Sequence, residues 1–106
     1  MQYSNTKVIV AELLGTFALA FVILNVATAK GTSGNSFYGL AIGGAVLAMA
    51  YTVGQFSGGA FNPAVAAGLC IAKVMCWQNI WIYLVGSLAG GALAATAFSF
   101  INPDDK

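Results

Sequence analysis

Few side chains in this 106-residue chain could carry out bond-making chemistry. The sequence has no histidine, which excludes a histidine-containing metal site and a serine–histidine hydrolase. The two cysteines, Cys70 and Cys76, have a spacing that matches no zinc-binding or redox signature, so we predict that both are small core residues. Because no nucleophile is paired with a base or a metal-ligand set, the sequence predicts neither an enzyme nor a bound cofactor.

The stretch SGGAFNPAVAAG, residues 57–68, carries hydrogen-bonding groups instead of reactive ones. Asn62 is typical of a helix N-cap, and Pro63 suits the first helical position, where a missing N–H removes no hydrogen bond. The segment from Asn62 to about Ile71 is therefore predicted to be a helix of about 15 Å. The preceding GQFSGGAF, residues 54–61, is predicted to be irregular backbone that leads into this helix.

Composition places these groups in a membrane protein. Apolar residues make up 59% of the chain and charged residues only 7%, far below the roughly 25% found in soluble domains. We therefore predict a multi-pass integral protein of the plasma or inner membrane, surrounded by the lipid bilayer. The net charge of +1 and the absence of a basic run predict no nucleic acid partner. Since MQYSNTK does not resemble a signal peptide, the first apolar run is expected to remain as a spanning helix.

Three apolar segments, residues 8–27, 37–53 and 80–100, are long enough to span a bilayer, which takes about 20 helical residues. Small residues recur in them at four-residue spacing, which allows helix backbones to approach closely in lipid. These residues are Ala11, Gly15, Gly39, Gly43, Gly86, Gly90 and Ala94. We predict one all-α membrane domain over residues 1–106, with three transmembrane helices and a re-entrant loop and half-helix at residues 54–72.

The half-helix predicts a pore that this chain alone does not complete. A helix of about 15 Å spans half of a hydrocarbon core of about 30 Å, and irregular backbone at that depth must be buried by protein or wetted. A second half-helix from the opposite face would complete the path, supplied by an inverted copy of this chain or by a different partner. Lys7 and Lys73 fall on one side and Lys30 and Lys106 on the other, so neither orientation is preferred, which favours insertion both ways.

The segment SGGAFNPAVAAG resembles the first half-pore loop of the aquaporin and glycerol-channel family, the major intrinsic proteins. The resemblance covers nearly the whole chain. AELLGTFALAF resembles the first helix of the family, GLAIGGAVLAMAYTVGQFSGGAFNPAV the second helix and loop, and WIYLVGSLAGGALAA the third helix. Family members carry two such halves, each with an Asn-Pro-Ala box, whereas this sequence has one box, Asn62, Pro63 and Ala64. The resemblance identifies a single-repeat half aquaporin.

The resemblance implies roles for the residues around the box. Asn62 would direct its amide donors at the middle of the pore. The acceptor row along the solute path would be formed by the carbonyls of Gly58, Gly59, Ala60 and Phe61. Glu12 would support the loop by accepting hydrogen bonds from backbone N–H groups, although an acid that reaches the near membrane surface is an open alternative. Gln55 stands where many first-half loops carry histidine, and we group it with Glu12 as loop support.

The selectivity constriction of the family matches Ile42, Ala50, Gly59 and Val65. Second halves of family members normally carry arginine at the position of Val65, which narrows the constriction and repels cations. The uncharged and non-aromatic set in this sequence implies a wider, more apolar constriction, which would occur twice in an antiparallel homodimer. The resemblance thus implies passive permeation of water and of small neutral solutes such as glycerol or ammonia.

Three alternatives stay open at this level. Two half-helix N-termini and paired Asn62 amides would disfavour cations and interrupt a proton wire, but without the arginine a cation-leaky channel is a competing interpretation. A half-channel that needs a different partner chain is another, and a non-conducting structural or accessory membrane protein is the third. By analogy with the four-pore assemblies of the family, eight chains in four antiparallel pairs are expected.

Overall fold

The structure is a computed structural model that describes residues 3–105. Helix α1 covers Asn5–Ile23 and continues as a π-helical turn to Thr28, and α2 covers Tyr38–Ser57. The short helix α3 covers Pro63–Ile71, and α4 covers Ile80–Ile101 after a 3₁₀ turn at Trp77–Asn79. Three of these helical stretches, Asn5–Thr28, Tyr38–Ser57 and Trp77–Ile101, are long and apolar enough to cross a membrane. The predicted all-α fold is confirmed.

Helix α1 begins three residues before the predicted start at residue 8. The reason is local, because the Ser4 hydroxyl accepts a hydrogen bond from Lys7 N at 3.2 Å and satisfies one of the free N–H groups of the first turn. A polar first turn therefore joins the helix, although hydropathy alone excludes it.

Helix α2 continues past the predicted end at residue 53, and this corrects the prediction of irregular backbone over residues 54–61. Gly54 and Gln55 are helical, because a single glycine only weakens a helix slightly. The helix ends at Gly58, whose φ of 85° is the left-handed conformation that glycine adopts at a C-cap without a steric penalty. The irregular segment between α2 and α3 thus covers residues 58–62, a loop of four residues, Gly58–Phe61, followed by the helix cap Asn62.

Helices α1 and α4 pack with their backbones close together. A Cβ atom on Gly86 would lie 2.8 Å from both Glu12 Cβ and Ile9 O, and one on Gly90 would lie 3.0 Å from Phe17 N. Only glycine allows these approaches, because a Cβ atom would overlap atoms of α1. In lipid, van der Waals contact between closely approaching helix backbones drives such packing. The predicted close packing by small residues is confirmed for this pair of helices.

The small residues of α2 behave differently. Gly39 and Gly43 would carry a Cβ into open space, and α2 buries only Val53 and Ser57 within the described chain. The predicted packing of these two glycines is therefore not found, because no helix of residues 3–105 lies opposite them. The outward face of α2 is left for lipid or for another chain.

The change Gly86→Ala is expected to lower the free energy of unfolding by about 1–3 kcal/mol, the usual effect of overpacking. The added methyl group meets the backbone of α1, which cannot rotate away. Thermal unfolding in detergent measures the loss. Gly91→Ala is the matched control, since its Cβ meets nothing within 4 Å. Equal stability of the two variants would contradict the tight α1–α4 contact.

Apart from the buried Glu12, the charged residues of the described chain lie at the two ends of the molecule. Lys30 Nζ donates to Asp104 O, and Lys30 N donates to the Asp105 carboxylate, both at 2.8 Å, which ties the α1–α2 connection to the end of α4. Lys7 lies at the opposite end, near the start of α1, and the turn that contains Lys73 follows α3 at that end. Of the four lysines used to predict orientation, Lys106 lies outside the described residues.

Candidate functional site

The loop Gly58–Phe61, which together with Asn62 connects α2 to α3, has an unusual backbone. Gly58, Gly59 and Phe61 have φ values of 85°, 73° and 51°, in the left-handed region. The two glycines adopt this conformation freely, whereas for phenylalanine it costs about 1–3 kcal/mol. Phe61 is held by burial, because its side chain is 2% exposed and its ring lies against Gly15, where any Cβ would overlap it.

Glu12 fastens this loop to α1. Its side chain is fully buried, and Oε1 accepts a hydrogen bond from Phe61 N at 2.8 Å. The Ser57 side chain and the Ala60 backbone lie beside the same carboxyl group. Glu12 lies seven residues after the first residue of α1, or about 10 Å along its axis, so the acid does not reach the near surface. Phe61 is therefore held well inside the helical bundle.

The other N–H groups at the start of the loop are also bonded within the chain. Gly58 N donates to Gly54 O at 2.7 Å, and Gly59 N donates to Ser57 Oγ at 3.2 Å. The Tyr83 hydroxyl donates to Ser57 O at 2.6 Å, which anchors the end of α2 to α4. Sequence reasoning did not single out Tyr83 or Ser57, because nothing local shows that these polar side chains meet.

The carbonyl groups of the loop differ from its N–H groups in their hydrogen bonding. No donor among residues 3–105 bonds to the carbonyl oxygens of Gly58, Gly59, Ala60 or Phe61. Carbonyl groups inside a membrane protein need a hydrogen-bond partner, and within residues 3–105 these four oxygens have none.

Asn62 sits at the junction between this loop and α3. Its Oδ1 accepts hydrogen bonds from Ala64 N at 2.7 Å and from Val65 N at 3.4 Å, and Pro63 is the first helical residue. The oxygen is used by the cap, which leaves the amide Nδ2 for another partner. Within the described residues its two N–H groups donate to nothing, and the side chain is exposed. The loop carbonyls, which are acceptors, are thus followed directly in the chain by the amide N–H donors of Asn62.

The positions matched to the constriction are not assembled in one chain. Ile42 and Ala50 are eight residues apart on α2, or about 12 Å along its axis. Gly59 is half-buried in the loop, and Val65 is exposed in the first turn of α3. Gly59 and Val65 each lie three residues from Asn62 in the chain, and Val65 N donates to Asn62 Oδ1, whereas Ile42 lies near the start of α2.

The structure also shows where Gln55 and the two cysteines lie. Gln55 lies in the last turn of α2, exposed, and within the described chain its side chain makes no hydrogen bond to Glu12 or the loop. Cys70 is buried in α3, whereas Cys76 is exposed in the turn before α4, so the prediction that both are core residues is wrong for Cys76. No cluster of three metal-ligating side chains occurs in residues 3–105.

Comparison with known proteins gives the family of the chain. The family model for the major intrinsic proteins matches residues 1–98. Aquaporin NIP3-1 of Arabidopsis thaliana is 35% identical over 103 residues, which cover 97% of this chain and 31% of that protein. Aquaporin NIP1-1 of Zea mays is 34% identical, with 97% and 36% covered, and the probable aquaporin TIP2-2 of Oryza sativa subsp. japonica is 38% identical, with 88% and 38% covered.

No solved structure matches the chain. The chain spans about a third of the length of the curated relatives that it matches. The match to the family model nevertheless includes α1, α2, the loop, the half-helix α3 and all but the last three residues of α4. This chain belongs to the major intrinsic protein family, the integral membrane proteins that include the aquaporins.

Proposed function

We propose that the chain forms one half of a transmembrane pore for water and small uncharged solutes, completed by an oppositely inserted copy of itself. The observation that carries the proposal is the difference in hydrogen bonding between the N–H groups and the carbonyl groups of the loop. Three of its N–H groups are bonded within the protein, while the carbonyls of residues 58–61 accept nothing from the described chain. The loop therefore offers a row of acceptors that ends at the Asn62 donors.

This arrangement suits a small molecule that both donates and accepts hydrogen bonds. A water molecule accepts from Asn62 Nδ2 through its oxygen and donates to the carbonyl row through its hydrogens. Fixing the orientation in this way prevents a continuous chain of water molecules from relaying protons. The N-terminus of α3, which carries roughly half a positive charge, also disfavours cations.

The half-helix supports a second, inverted half. Helix α3 has nine residues, so it covers about 14 Å of a hydrocarbon core of about 30 Å. The separation of Ile42 and Ala50 along α2 gives a second reason to expect an inverted copy. In an antiparallel pair, Ile42 of one copy lies at the level of Ala50, Gly59 and Val65 of the other, which makes one constriction near each membrane face. Inverted repeats are a common way to complete such sites.

Shrinkage of proteoliposomes in an osmotic gradient, followed by stopped-flow light scattering, tests the proposal. Vesicles that contain the purified chain should shrink faster than empty vesicles. Labelling of single cysteines near residues 5 and 103 should find each of them on both membrane faces. One uniform orientation would contradict the self-completed pore and favour a different partner chain. Dual orientation without added permeability would favour a non-conducting scaffold.

Val65→Arg is expected to reduce glycerol flux several-fold and water flux less. The guanidinium group fills the constriction, and glycerol is the larger solute. Glycerol and water fluxes are measured on the same proteoliposome preparation. Val74→Arg is the matched control, because Val74 is exposed in the turn after α3 and outside the constriction. A larger loss of water flux than of glycerol flux would show that the constriction lies elsewhere. Conductance in planar bilayers shows whether the pore also passes cations, as the competing interpretation of a cation-leaky channel requires.

A further inference from the structure

The exposed charges differ between the two ends of the molecule. At the end where α1 begins, Lys7 and Lys73 are both exposed. The chain has three acidic residues, of which Glu12 is buried, whereas Asp104 and Asp105 follow α4 at the opposite end. The longest dimension of the molecule is 42 Å. Within the described residues, neither of these two lysines can therefore reach an exposed carboxylate of its own copy.

The carboxylate of Asp104 is the one that the described chain leaves free. The Asp105 carboxylate accepts a hydrogen bond from Lys30 N, and Lys30 Nζ donates to the backbone oxygen of Asp104, not to its side chain. Among residues 3–105 nothing donates to the Asp104 carboxylate, and this side chain is exposed. Its negative charge is thus available to a cation from another chain.

Lys73 occupies a backbone position that is typical of glycine. Its φ of 64° is in the left-handed region. Lys73 N donates to Cys70 O at 3.1 Å and Val74 N donates to Leu69 O at 2.9 Å, which are the two hydrogen bonds of a Schellman cap. Glycine adopts this conformation without a steric penalty, whereas lysine does not. The cap therefore gives no reason for a lysine here, whereas a use of its charge does.

Helix lengths place Lys73 and Asp104 at the same depth in an antiparallel pair. Helix α3 has nine residues and covers about 14 Å from the midplane to one membrane face, whereas α4 has 22 residues and is about 33 Å long. Helix α3 packs against the first turns of α4, where Ala66 and Tyr83 share one buried cluster. The second half of α4 has no half-helix of its own copy beside it. If the two half-helices meet end to end, α3 of the inverted copy fills this place.

We propose that Lys73 of one copy forms an ion pair with Asp104 of the oppositely inserted copy, and that this ion pair selects the antiparallel arrangement. The inference rests on the self-completed pore proposed above. A two-fold axis relates the copies, so the contact occurs twice in each pair. A parallel pair would bring the lysine ends of both copies together and would contain no such contact.

Energy transfer between donor-labelled and acceptor-labelled chains in detergent at low salt tests the proposal. Detergent removes any effect of the variants on membrane insertion. Lys73→Asp should raise the dissociation constant of the pair several-fold, because carboxylates then face each other at two places. The double variant Lys73→Asp/Asp104→Lys should pair with itself as tightly as the parent chain does. It should pair several-fold more weakly with the parent chain, since the mixed pair brings like charges together twice.

Two further variants separate the ion pair from other effects. Lys7→Asp is the matched control, because it reverses a charge at the same end of the molecule but on α1, and it should leave the dissociation constant nearly unchanged. Lys73→Gly relieves the left-handed backbone and removes the charge, so it should weaken pairing although it suits the cap.

Two outcomes would overturn the ion pair while leaving the self-completed pore intact. One is a double variant that pairs with the parent chain as tightly as with itself. The other is a Lys73→Gly variant that pairs as tightly as the parent chain. If the parent chain forms no pairs at all, the self-completed pore is contradicted together with the ion pair.

Discussion

Glu12→Met is expected to lower the free energy of unfolding by about 1–3 kcal/mol, the usual effect of leaving a buried polar group without its partner. The variant should also lose water permeation. Phe61 N would lose its acceptor, and the left-handed φ of 51° at Phe61 would lose one of the contacts that hold it. Methionine keeps a similar unbranched shape, so packing against Gly86 changes little. Thermal unfolding in detergent and vesicle shrinkage measure the two effects.

Glu12→Gln separates the hydrogen bond from the acid. The glutamine side chain keeps an oxygen that can accept from Phe61 N, so this variant should retain most of the stability and of the permeability. If Glu12→Met is as stable and as permeable as the parent chain, the loop is held by the burial of Phe61 alone. The role given to Glu12 would then be wrong.

The start of the half-helix could be predicted because its signals are local. An N-cap side chain and a proline at the first helical position act within one turn, and the structure has Asn62 and Pro63 in these positions. The end of α2 could not be placed in the same way. Gly54 and Gly58 are the same residue type, and only the left-handed φ at Gly58 shows which of them ends the helix.

The contacts that hold the loop were beyond sequence reasoning for a different reason. The ring of Phe61 rests on Gly15, and the Tyr83 hydroxyl bonds to Ser57 O, 26 residues away. Such pairs depend on how the helices cross, which hydrophobic patterning does not specify. A small-residue pattern likewise predicts close packing without naming the partner, so Gly86 meets α1 while Gly43 meets nothing in the described chain.

The two ends of the Asn62 amide group have different surroundings in the structure. The amide oxygen caps α3, while the amide nitrogen is left with two free donors within the described residues. An aspartate at this position would keep an oxygen for the cap, because Asp and Asn are equally good N-caps. It would, however, replace the donors with a second acceptor and add a negative charge. If the proposed pore runs beside Asn62, the fold and the selectivity can therefore be changed independently.

Asn62→Asp is expected to convert the pore from excluding cations to admitting them, with little loss of stability. A charge at the centre of a bilayer costs about 2.5–3.5 kcal/mol on insertion scales. The N-terminus of α3, with roughly half a positive charge, and water in the pore offset part of this cost. Two such aspartates in an antiparallel pair would attract cations to the midplane. Conductance and reversal potential in a salt gradient across planar bilayers measure the change.

Asn62→Ser is the matched control for this prediction. Serine keeps a capping oxygen and removes the amide donors, but it adds no charge. It should weaken the orientation of water and raise proton leak without making the pore cation-selective. Cation selectivity of Asn62→Asp but not of Asn62→Ser would place the charge in the conduction path. If neither variant changes the conductance or the water flux, Asn62 acts only as the cap of α3, and the solute path does not run beside it.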